Sequence, residues 1–268
     1  MKLKMDKKSD DIKKFLELSS GIVGAGSGTA VGLLIGGPSG AITGSTVGVL
    51  LTKGVEEFCN RVLSHREAVR VSAVAAMAIN NIHERLQSGV KVRDDGFLDD
   101  DNGGRSSAEE LFEGVLLKGK NEHREKKLKL YSNVFANAFF YEGISLEEIY
   151  FVLKLAEELT YDSFCVLSLF CRPELFNRHN IPERINLSDC GDPKRFLLFE
   201  ILHLMNQNLL EIGPIESPNS RWAMNLGVEN VVPRGLRLTS FMNRHYKILG
   251  LEEIPEKDIE PILILMRE

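Results

Sequence analysis

The hydrophobic and polar positions divide the chain into a charge-free apolar stretch near the amino end and a long amphipathic remainder. In the remainder, apolar residues recur at helical spacing, and three capping boxes of the form Ser-x-x-Glu begin such runs. These boxes start at Ser64, Ser107 and Ser145. Together with Gly89, which ends the first run, they predict helices over 64–88, 107–140 and 146–158. We therefore expect a mainly α fold.

The last part of the chain changes from helical to extended patterning and back. Thr160 is placed to cap a helix that runs to Leu169, and Asp192 with Pro193 opens another helix over 193–208. Extended runs follow at 209–213 and 231–238, and Thr239 begins a further helix. Three helices followed by a two-stranded wing is the order of a winged helix. The sequence predicts a winged-helix-like subdomain at the carboxyl end.

The apolar stretch covers residues 18–52, 35 residues without a single charge, and holds ten of the 23 glycines. Seven of these glycines recur at a spacing of four: Gly24, Gly28, Gly32, Gly36, Gly40, Gly44 and Gly48. This spacing stacks small residues on one helix face, which lets two helix backbones approach closely. In water, each glycine would cost about 1 kcal/mol relative to alanine in a helix. The pattern therefore favours a glycine zipper in contact with lipid.

A helical hairpin fits this stretch better than one span. A single helix would be about 50 Å long, against ~30 Å for the hydrocarbon core of a bilayer. Residues 36–40 carry the turn-forming Gly-Gly-Pro-Ser-Gly sequence, and Pro38 cannot continue the helical hydrogen bonds. The arms would cover 18–35 and 41–52 and extend towards residue 58. Each arm is short for a full span, so a re-entrant or interfacial hairpin, or arms that cross only when assembled, fits as well as a stable two-span anchor.

Other interpretations of the same stretch are weaker or remain open. The Gly24 to Gly28 sequence resembles a dinucleotide-binding turn, but it follows a helical pattern and no acid lies about 20 residues further on. A P-loop needs a lysine where Gly28-Thr29 has none. A soluble helix pair packed against the rest of the chain, or a flexible glycine-rich segment, remains open.

Composition supports a folded protein of several parts. The chain has 268 residues, of which 43% are apolar, enough to bury a core. A charged segment with six lysines and four acids precedes the apolar stretch and suits an anionic cytoplasmic leaflet. The resulting division is a charged segment 1–17, a membrane hairpin 18–58, a helical domain 59–144 with an acidic loop 90–105, and a winged-helix-like domain 145–268.

Charge argues against DNA as the partner of the winged-helix-like domain. The whole chain has a net charge of −5, and residues 145–268 hold 13 basic and 19 acidic residues. A DNA-binding domain needs cations that neutralise phosphates along one face. We expect a protein-contact or structural role instead. A local basic patch, suited to a phosphate-bearing small ligand, is predicted at Arg234, Arg237, Arg244 and Lys247.

Two charged segments invite a functional interpretation. Residues 122–129 mix both signs, which is typical of a solvated helix face with i,i+4 ion pairs. In the acidic loop, Asp99, Asp101 and Glu110 occupy positions one, three and twelve of an EF-hand pattern. Position five is a glycine without a side-chain oxygen, and a solvated loop explains the same residues. We expect no resident metal and no cofactor.

A catalytic constellation is not evident. Cys59, Cys165, Cys171 and Cys190 form no zinc-binding spacing, and we interpret them as free thiols in a reducing compartment. The best catalytic candidate pairs Arg172 with His179, which resembles the Arg-x4–6-His signature of the helical HEPN ribonucleases. In that family the pair acts at a phosphodiester bond with the 2′-hydroxyl as nucleophile. Pro173 would disturb the helix that this signature needs.

Several stretches resemble a bacterial family that pairs a Gly/Ala-rich hairpin with a helical body. They are 63–67 (Leu-Ser-His-Arg-Glu), 93–97 (Arg-Asp-Asp-Gly-Phe), 105–110 (Arg-Ser-Ser-Ala-Glu-Glu) and 113–117 (Glu-Gly-Val-Leu-Leu). The stretches 131–137 and 145–169 are similar to abortive-infection proteins of the alpha type. The resemblance is diffuse over about 60–250 and transfers no catalytic residue. It implies a bacterial cytoplasmic or inner-membrane setting and a role in antiphage defence.

These observations together predict a non-enzymatic membrane effector or regulator. The hairpin would assemble as a homo-oligomer in the inner membrane, on the cytoplasmic side, and change its permeability. The helical parts would bind a protein partner or a ligand. A soluble scaffold with an internally packed hairpin and a HEPN-like ribonuclease are the alternatives.

Overall fold

The computed structural model describes residues 63–99, 104–182, 185–186, 192–213, 230–231 and 235–267. The described chain is mainly helical, as the hydrophobic pattern predicts. It divides into two compact units between Glu158 and Leu159. The predicted hairpin, with its seven zipper glycines, lies outside the described residues. Among the helices that are described, none combines the length and apolarity that crossing a bilayer would require.

The described residues of the first unit form four α-helices. They are α1 (His65–Gln87), α2 (Ser107–Asn121), α3 (Leu128–Ala138) and α4 (Leu146–Glu158), with a short 3-10 turn at Glu125–Lys127. Helix α3 is the central one, since all its residues except Lys129 are buried. Phe135 lies at its middle, stacked on Phe112 of α2 with ring centroids 4.5 Å apart and in edge contact with Phe139. The core of this unit therefore surrounds α3.

Capping signals place these helices accurately, with one shift. Ser64 and Ser145 cap α1 and α4 as predicted, each with the glutamate three residues later bonded back to the cap. The capping box of α2 lies one residue earlier than predicted, because Ser106 and Glu109 form it rather than Ser107 and Glu110. Both registers satisfy the sequence pattern. The chosen one buries Ala108, Leu111 and Phe112.

The predicted single helix over 107–140 is wrong, because the chain breaks into α2 and α3. Glu122 leaves the helix with extended backbone, and the 3-10 turn precedes α3. The charge run 122–129 is therefore a connection between helices and not a solvated helix face. Helix α4 has the predicted bounds and buries Ile149, Val152, Leu153 and Ala156. Helix α4 packs on α2 and α3 and belongs to the first unit. The domain boundary that the sequence predicts at residue 145 would assign it to the last domain instead.

In its described residues, the second unit mixes helices with two short strand pairs. Its helices are α5 (Tyr161–Cys171), α6 (Glu174–Arg178), α7 (Asp192–Asn206), α8 (Ser240–Leu249) and α9 (Glu256–Arg267), with a 3-10 turn at Leu251–Glu253. Its strands are β1 (Ile185–Asn186), β2 (Leu210–Ile212), β3 (Asn230–Val231) and β4 (Leu236–Leu238). Thr160 and Thr239 cap α5 and α8 as predicted. Strand β2 pairs antiparallel with β4, and β1 with β3.

The core of the second unit surrounds α5. Every residue from Tyr161 to Phe170 except Asp162 is buried. Ser168 donates to the carbonyl of Leu251, and Tyr161 donates to Asp258 at 2.8 Å, so hydrogen bonds as well as apolar contacts hold α5. Cys165 is buried and forms no disulfide, as expected of a cysteine that acts as a small hydrophobe. Cys171 is also free, and burial, reinforced by the charge of Glu252, raises the pKa of its thiol to about 12.

Candidate functional site

Arg172, half of the predicted catalytic pair, fastens the end of α5 to a later segment. Helix α5 stops at Cys171, and Pro173 begins α6, so the helical context of the ribonuclease signature is broken. The Arg172 guanidinium donates to Ser168 Oγ at 2.5 Å and to the carbonyl of Ile254 at 2.9 Å. These bonds commit the Nη2 group of Arg172 to contacts within the chain.

His179, the other half, contacts the same later segment. It ends α6, and its Nε2 lies 3.2 Å from Glu256 Oε1. Arg178 binds the same carboxylate at 2.9 Å. The hydrogen bond from His179 comes first among the interactions that lower the pKa of Glu256, followed by that from Arg178. The structure thus brings Arg172 and His179 to one short segment, 254–256, where each makes an intramolecular contact.

The predicted basic patch is partly neutralised within its own strand pair. Arg237 on β4 faces Glu211 on β2, with both its Nε and Nη2 2.8 Å from Glu211 Oε1. Arg244 and Lys247 are exposed on α8, where the Lys247 ammonium lies 5.8 Å from the centre of the Tyr246 ring. Arg234 lies outside the described residues. Binding of a phosphate-bearing ligand stays a prediction.

Of the predicted calcium ligands, Asp99 and Glu110 lie within the described residues. The Asp99 amide closes a turn on the carbonyl of Gly96. Glu110 accepts a hydrogen bond from Tyr150 at 3.2 Å, and burial together with this carboxylate raises the pKa of Tyr150 to about 12. Asp101 lies outside the described residues. Within the described ranges, no three His, Cys, Asp or Glu residues are arranged to hold a metal ion.

A buried ionic network occupies the ends of the α2–α3 connection. Lys127 Nζ lies 2.9 Å from Glu122 Oε2, and the two side chains are only 6% and 5% exposed. Tyr131 donates to the same carboxylate at 2.9 Å, and the Arg124 amide donates to its other oxygen at 2.8 Å. Lys127 also donates to the carbonyl of Glu157 at 2.9 Å. The network thus joins the connection to α3 and to the end of α4.

The charged and polar groups of this network stabilise one another. Burial alone would raise the pKa of the Glu122 carboxyl, but the Arg124 amide, Lys127 and Tyr131 together hold this pKa below its usual value. Burial, and then the Glu122 carboxylate, raise the pKa of the Tyr131 hydroxyl. The ammonium and the hydroxyl both bind the carboxylate, which is typical of a structural cluster rather than of a catalytic one.

The outward face of α7 is the most exposed apolar surface among the described residues. Phe196 and Phe199 lie one turn apart and are 60% and 63% exposed. On the opposite side of the helix, Leu197, Leu198, Ile201 and Leu204 are buried. The helix therefore has two apolar faces, of which only one packs against its own unit. We call the side that carries Phe196 and Phe199 the outer face of α7.

Charges of both signs lie along this helix, which begins at Asp192. Arg195 and His203 are exposed on the same side of α7, and Lys194 is half-buried. From 194 to 206 the sequence has one carboxylate, Glu200. It accepts hydrogen bonds from Thr160, at 2.8 Å, and from Ser163. Sequence reasoning missed the exposed aromatic pair. The signal was present, since apolar residues occur on every side of this helix.

Comparisons with protein-family profiles, with curated proteins and with solved structures found no match to this chain.

Proposed function

We propose that this chain is a membrane-associated, non-enzymatic effector or regulator. Residues 18–58 enter or line the membrane and assemble through glycine contacts, and the helical units bind a partner or ligand. The observation that carries the proposal is the charge-free run 18–52 with seven glycines at a spacing of four. Its physical basis is that close backbone approach replaces the hydrophobic effect as the driving force for helix association in lipid.

The setting follows from the flanking charges and from the resemblance to abortive-infection proteins. Lysines at residues 2–14 and Lys53 flank the apolar run, and such residues favour the cytoplasmic face of a bacterial inner membrane. Assembly of several copies would change membrane permeability, which suits antiphage defence by growth arrest. Along the sequence, the capped helix α1 follows this segment at His65. The first unit would act as the sensing part of the effector.

The second unit supports a role in partner contact rather than in DNA binding. The β2–β4 pair follows α7, in the order that a winged-helix-like arrangement requires. The helix that would lie in a DNA groove presents two exposed phenylalanines there. Phosphate recognition needs several cations on such a surface. Apolar contact is the chemistry that this helix offers.

Glycine register gives a test with a matched control. Gly28→Leu combined with Gly32→Leu places two bulky side chains in the spacing of four. Gly21→Leu combined with Gly26→Leu adds the same apolar groups outside it. We expect both variants to reach the membrane, but only the first to lose cross-linked oligomers and growth inhibition on expression. Equal behaviour of the two variants would contradict assembly through the glycine register.

A further inference from the structure

One end of the first unit has an excess of positive charge. The start of α1 meets the end of α2 there, where Lys120 lies 3.7 Å from Glu67. The start of α3 meets the end of α4, since Lys127 donates to the carbonyl of Glu157 at 2.9 Å. We call residues 64–70, 118–129 and 154–158 the basic end. They include five glutamates and nine basic residues, which are Arg66, Arg70, Lys118, Lys120, Arg124, Lys126, Lys127, Lys129 and Lys154.

The opposite end of the same unit is acidic. Arg93, which follows α1, donates to the carbonyl of Ala138 at the end of α3 at 3.3 Å, and Tyr150 of α4 donates to Glu110 of α2 at 3.2 Å. Helix α1 connects the two ends, and its 23 residues span about 34 Å. We call the described residues 84–99, 104–110 and 141–148 the acidic end. They include four basic residues and nine acids, which are Glu84, Asp94, Asp95, Asp99, Glu109, Glu110, Glu142, Glu147 and Glu148.

The positive excess at the basic end remains after its own ion pairs are taken into account. Four of the five glutamates pair with lysines of the same end: Glu67 with Lys120, Glu122 with Lys127, Glu157 with Lys118, and Glu158 with Lys154. The excess therefore comes from the other basic residues, of which Arg66, Arg124 and Lys126 are exposed. The fifth glutamate, Glu125, is exposed beside them. A surface of this charge fits an anionic partner.

The place of the basic end in the chain favours lipid over nucleic acid as that partner. Five residues, 59–63, separate the proposed membrane hairpin from the Ser64 cap of α1, and six chain steps span at most about 20 Å. The basic end would therefore lie close to the bilayer. Clusters of lysine and arginine immediately beside a membrane segment bind anionic headgroups. The basic end contains no phenylalanine, tyrosine or tryptophan on which bases could stack.

We propose that the basic end of the first unit docks on the anionic cytoplasmic leaflet, with the acidic end directed away from the bilayer. This inference rests on the proposed membrane function, because residues 18–58 would hold the chain at the bilayer and raise the effective concentration of the basic end at its surface. On a bilayer without anionic lipid, the chain would stay embedded while the first unit stays undocked. Lipid charge thus sets the orientation of this unit.

A single-tryptophan reporter tests this contact in the full-length chain. Trp222 is the only tryptophan, so Trp222→Phe combined with His123→Trp leaves one indole at the basic end, where the side chain at 123 is 89% exposed. The protein is reconstituted in vesicles of phosphatidylcholine alone or of phosphatidylcholine and phosphatidylglycerol in a 3:1 ratio, with nitroxide on some choline headgroups. We expect strong quenching only in the anionic vesicles, and its loss at high salt. Val90→Trp in the same background places the indole at the acidic end, at a 43% exposed position, and should stay unquenched.

Two double variants with the same loss of charge control for the overall charge of the chain. Arg124→Gln combined with Lys126→Gln should weaken docking on the order of 30-fold, because each cation near an anionic surface contributes about fivefold. Lys91→Gln combined with Arg105→Gln removes one lysine and one arginine from exposed positions of the acidic end and should leave the quenching unchanged. Far-UV circular dichroism verifies the fold of both variants. Equal quenching in the two would overturn the inference.

The remaining outcomes separate this inference from the proposed function. A chain that resists carbonate extraction from the vesicles while the indole at 123 stays unquenched, or is quenched equally with and without anionic lipid, contradicts docking of the basic end alone. A chain that enters neither kind of vesicle contradicts both proposals. Protection of this indole from acrylamide by single-stranded RNA, in detergent and without lipid, would assign the basic end to nucleic acid and would also overturn the lipid contact.

Discussion

The Lys127 ammonium lies 2.9 Å from the Glu122 carboxylate, with both side chains about 95% buried and at opposite ends of one interhelical connection. Taking two such charges out of water costs several kcal/mol for each ion, and their attraction compensates only with good geometry and further hydrogen bonds. Here Tyr131, the Arg124 amide and the Glu157 carbonyl supply those bonds. The pair therefore determines where α2 ends and α3 begins.

Removal of one partner of this buried ion pair should lower the stability of the fold. Lys127→Met leaves the Glu122 carboxylate buried without its counter-ion, and we expect a loss of about 3–5 kcal/mol in the free energy of unfolding. Urea denaturation followed by circular dichroism measures this loss. The double variant with Glu122→Gln should lose less than the sum of the single changes, because the two residues are coupled.

An exposed lysine on the same unit is the control. Lys154 lies 3.6 Å from Glu158 on α4, with the two side chains 63% and 54% exposed. Lys154→Met should change the free energy of unfolding by less than about 0.5 kcal/mol, because exposed i,i+4 pairs contribute little. A similar effect at 154 and 127 would show that the buried network has no special role.

Acid should weaken the fold through Glu122. The pKa of this carboxyl is lowered in the folded state, so the unfolded chain binds its proton more readily. The stability that it contributes is present above its unfolded value of about 4.5, and is lost as the pH falls through the lower folded value. Urea midpoints measured below pH 5 should therefore fall less steeply for Glu122→Gln than for the natural chain. Parallel profiles would contradict this assignment.

Two glycines of α2 should respond to alanine in opposite ways. A Cβ at Gly119 would lie 2.8 Å from Cγ2 of the buried Val74, a stiff β-branched neighbour, whereas a Cβ at Gly114 would meet Leu153 at an ordinary 3.5 Å. We expect Gly119→Ala to destabilise by about 1–3 kcal/mol. Gly114→Ala should stabilise by about 0.5–1 kcal/mol, because alanine favours the helix. Thermal melts of both variants decide this, and stabilisation by both would refute the close contact of α1 and α2.

The ribonuclease alternative can be separated from the structural roles of its two residues. Arg172→Ala removes bonds to Ser168 and to the Ile254 carbonyl, and should cost about 1–3 kcal/mol of stability. His179→Ala removes one partly exposed contact with Glu256 and should cost less than about 1 kcal/mol. Growth inhibition should therefore persist in His179→Ala. Loss of inhibition in this stable variant, together with cleaved cellular RNA in the natural chain, would favour the ribonuclease.

Helix starts could be predicted from the sequence because capping is a local interaction. Ser64, Ser145, Thr160 and Thr239 each bind backbone within the next three residues, and all four begin helices at the predicted places. The break between α2 and α3 could not be predicted in this way. It depends on Lys127 reaching the Glu157 carbonyl, a contact between residues 30 positions apart.

The same distinction between local and long-range contacts applies to the candidate sites. The sequence placed Arg237 in a basic patch and did not show that Glu211 neutralises it. That ion pair depends on the register of β2 against β4, which sets Glu211 opposite Arg237. It also gave no reason to separate Phe196 and Phe199 from the buried leucines beside them. Only the packing of α7 shows which side of that helix is left outside.

Alkaline carbonate extraction of bacterial membranes tests the central claim most directly, since it releases peripheral proteins and retains those embedded in lipid. We expect the natural chain, and a control with Leu117→Lys on the first unit, to remain in the pellet. Leu34→Lys combined with Leu50→Lys places charge inside the apolar run, and this variant should be released. Recovery of the natural chain in the supernatant would contradict the membrane role of residues 18–58.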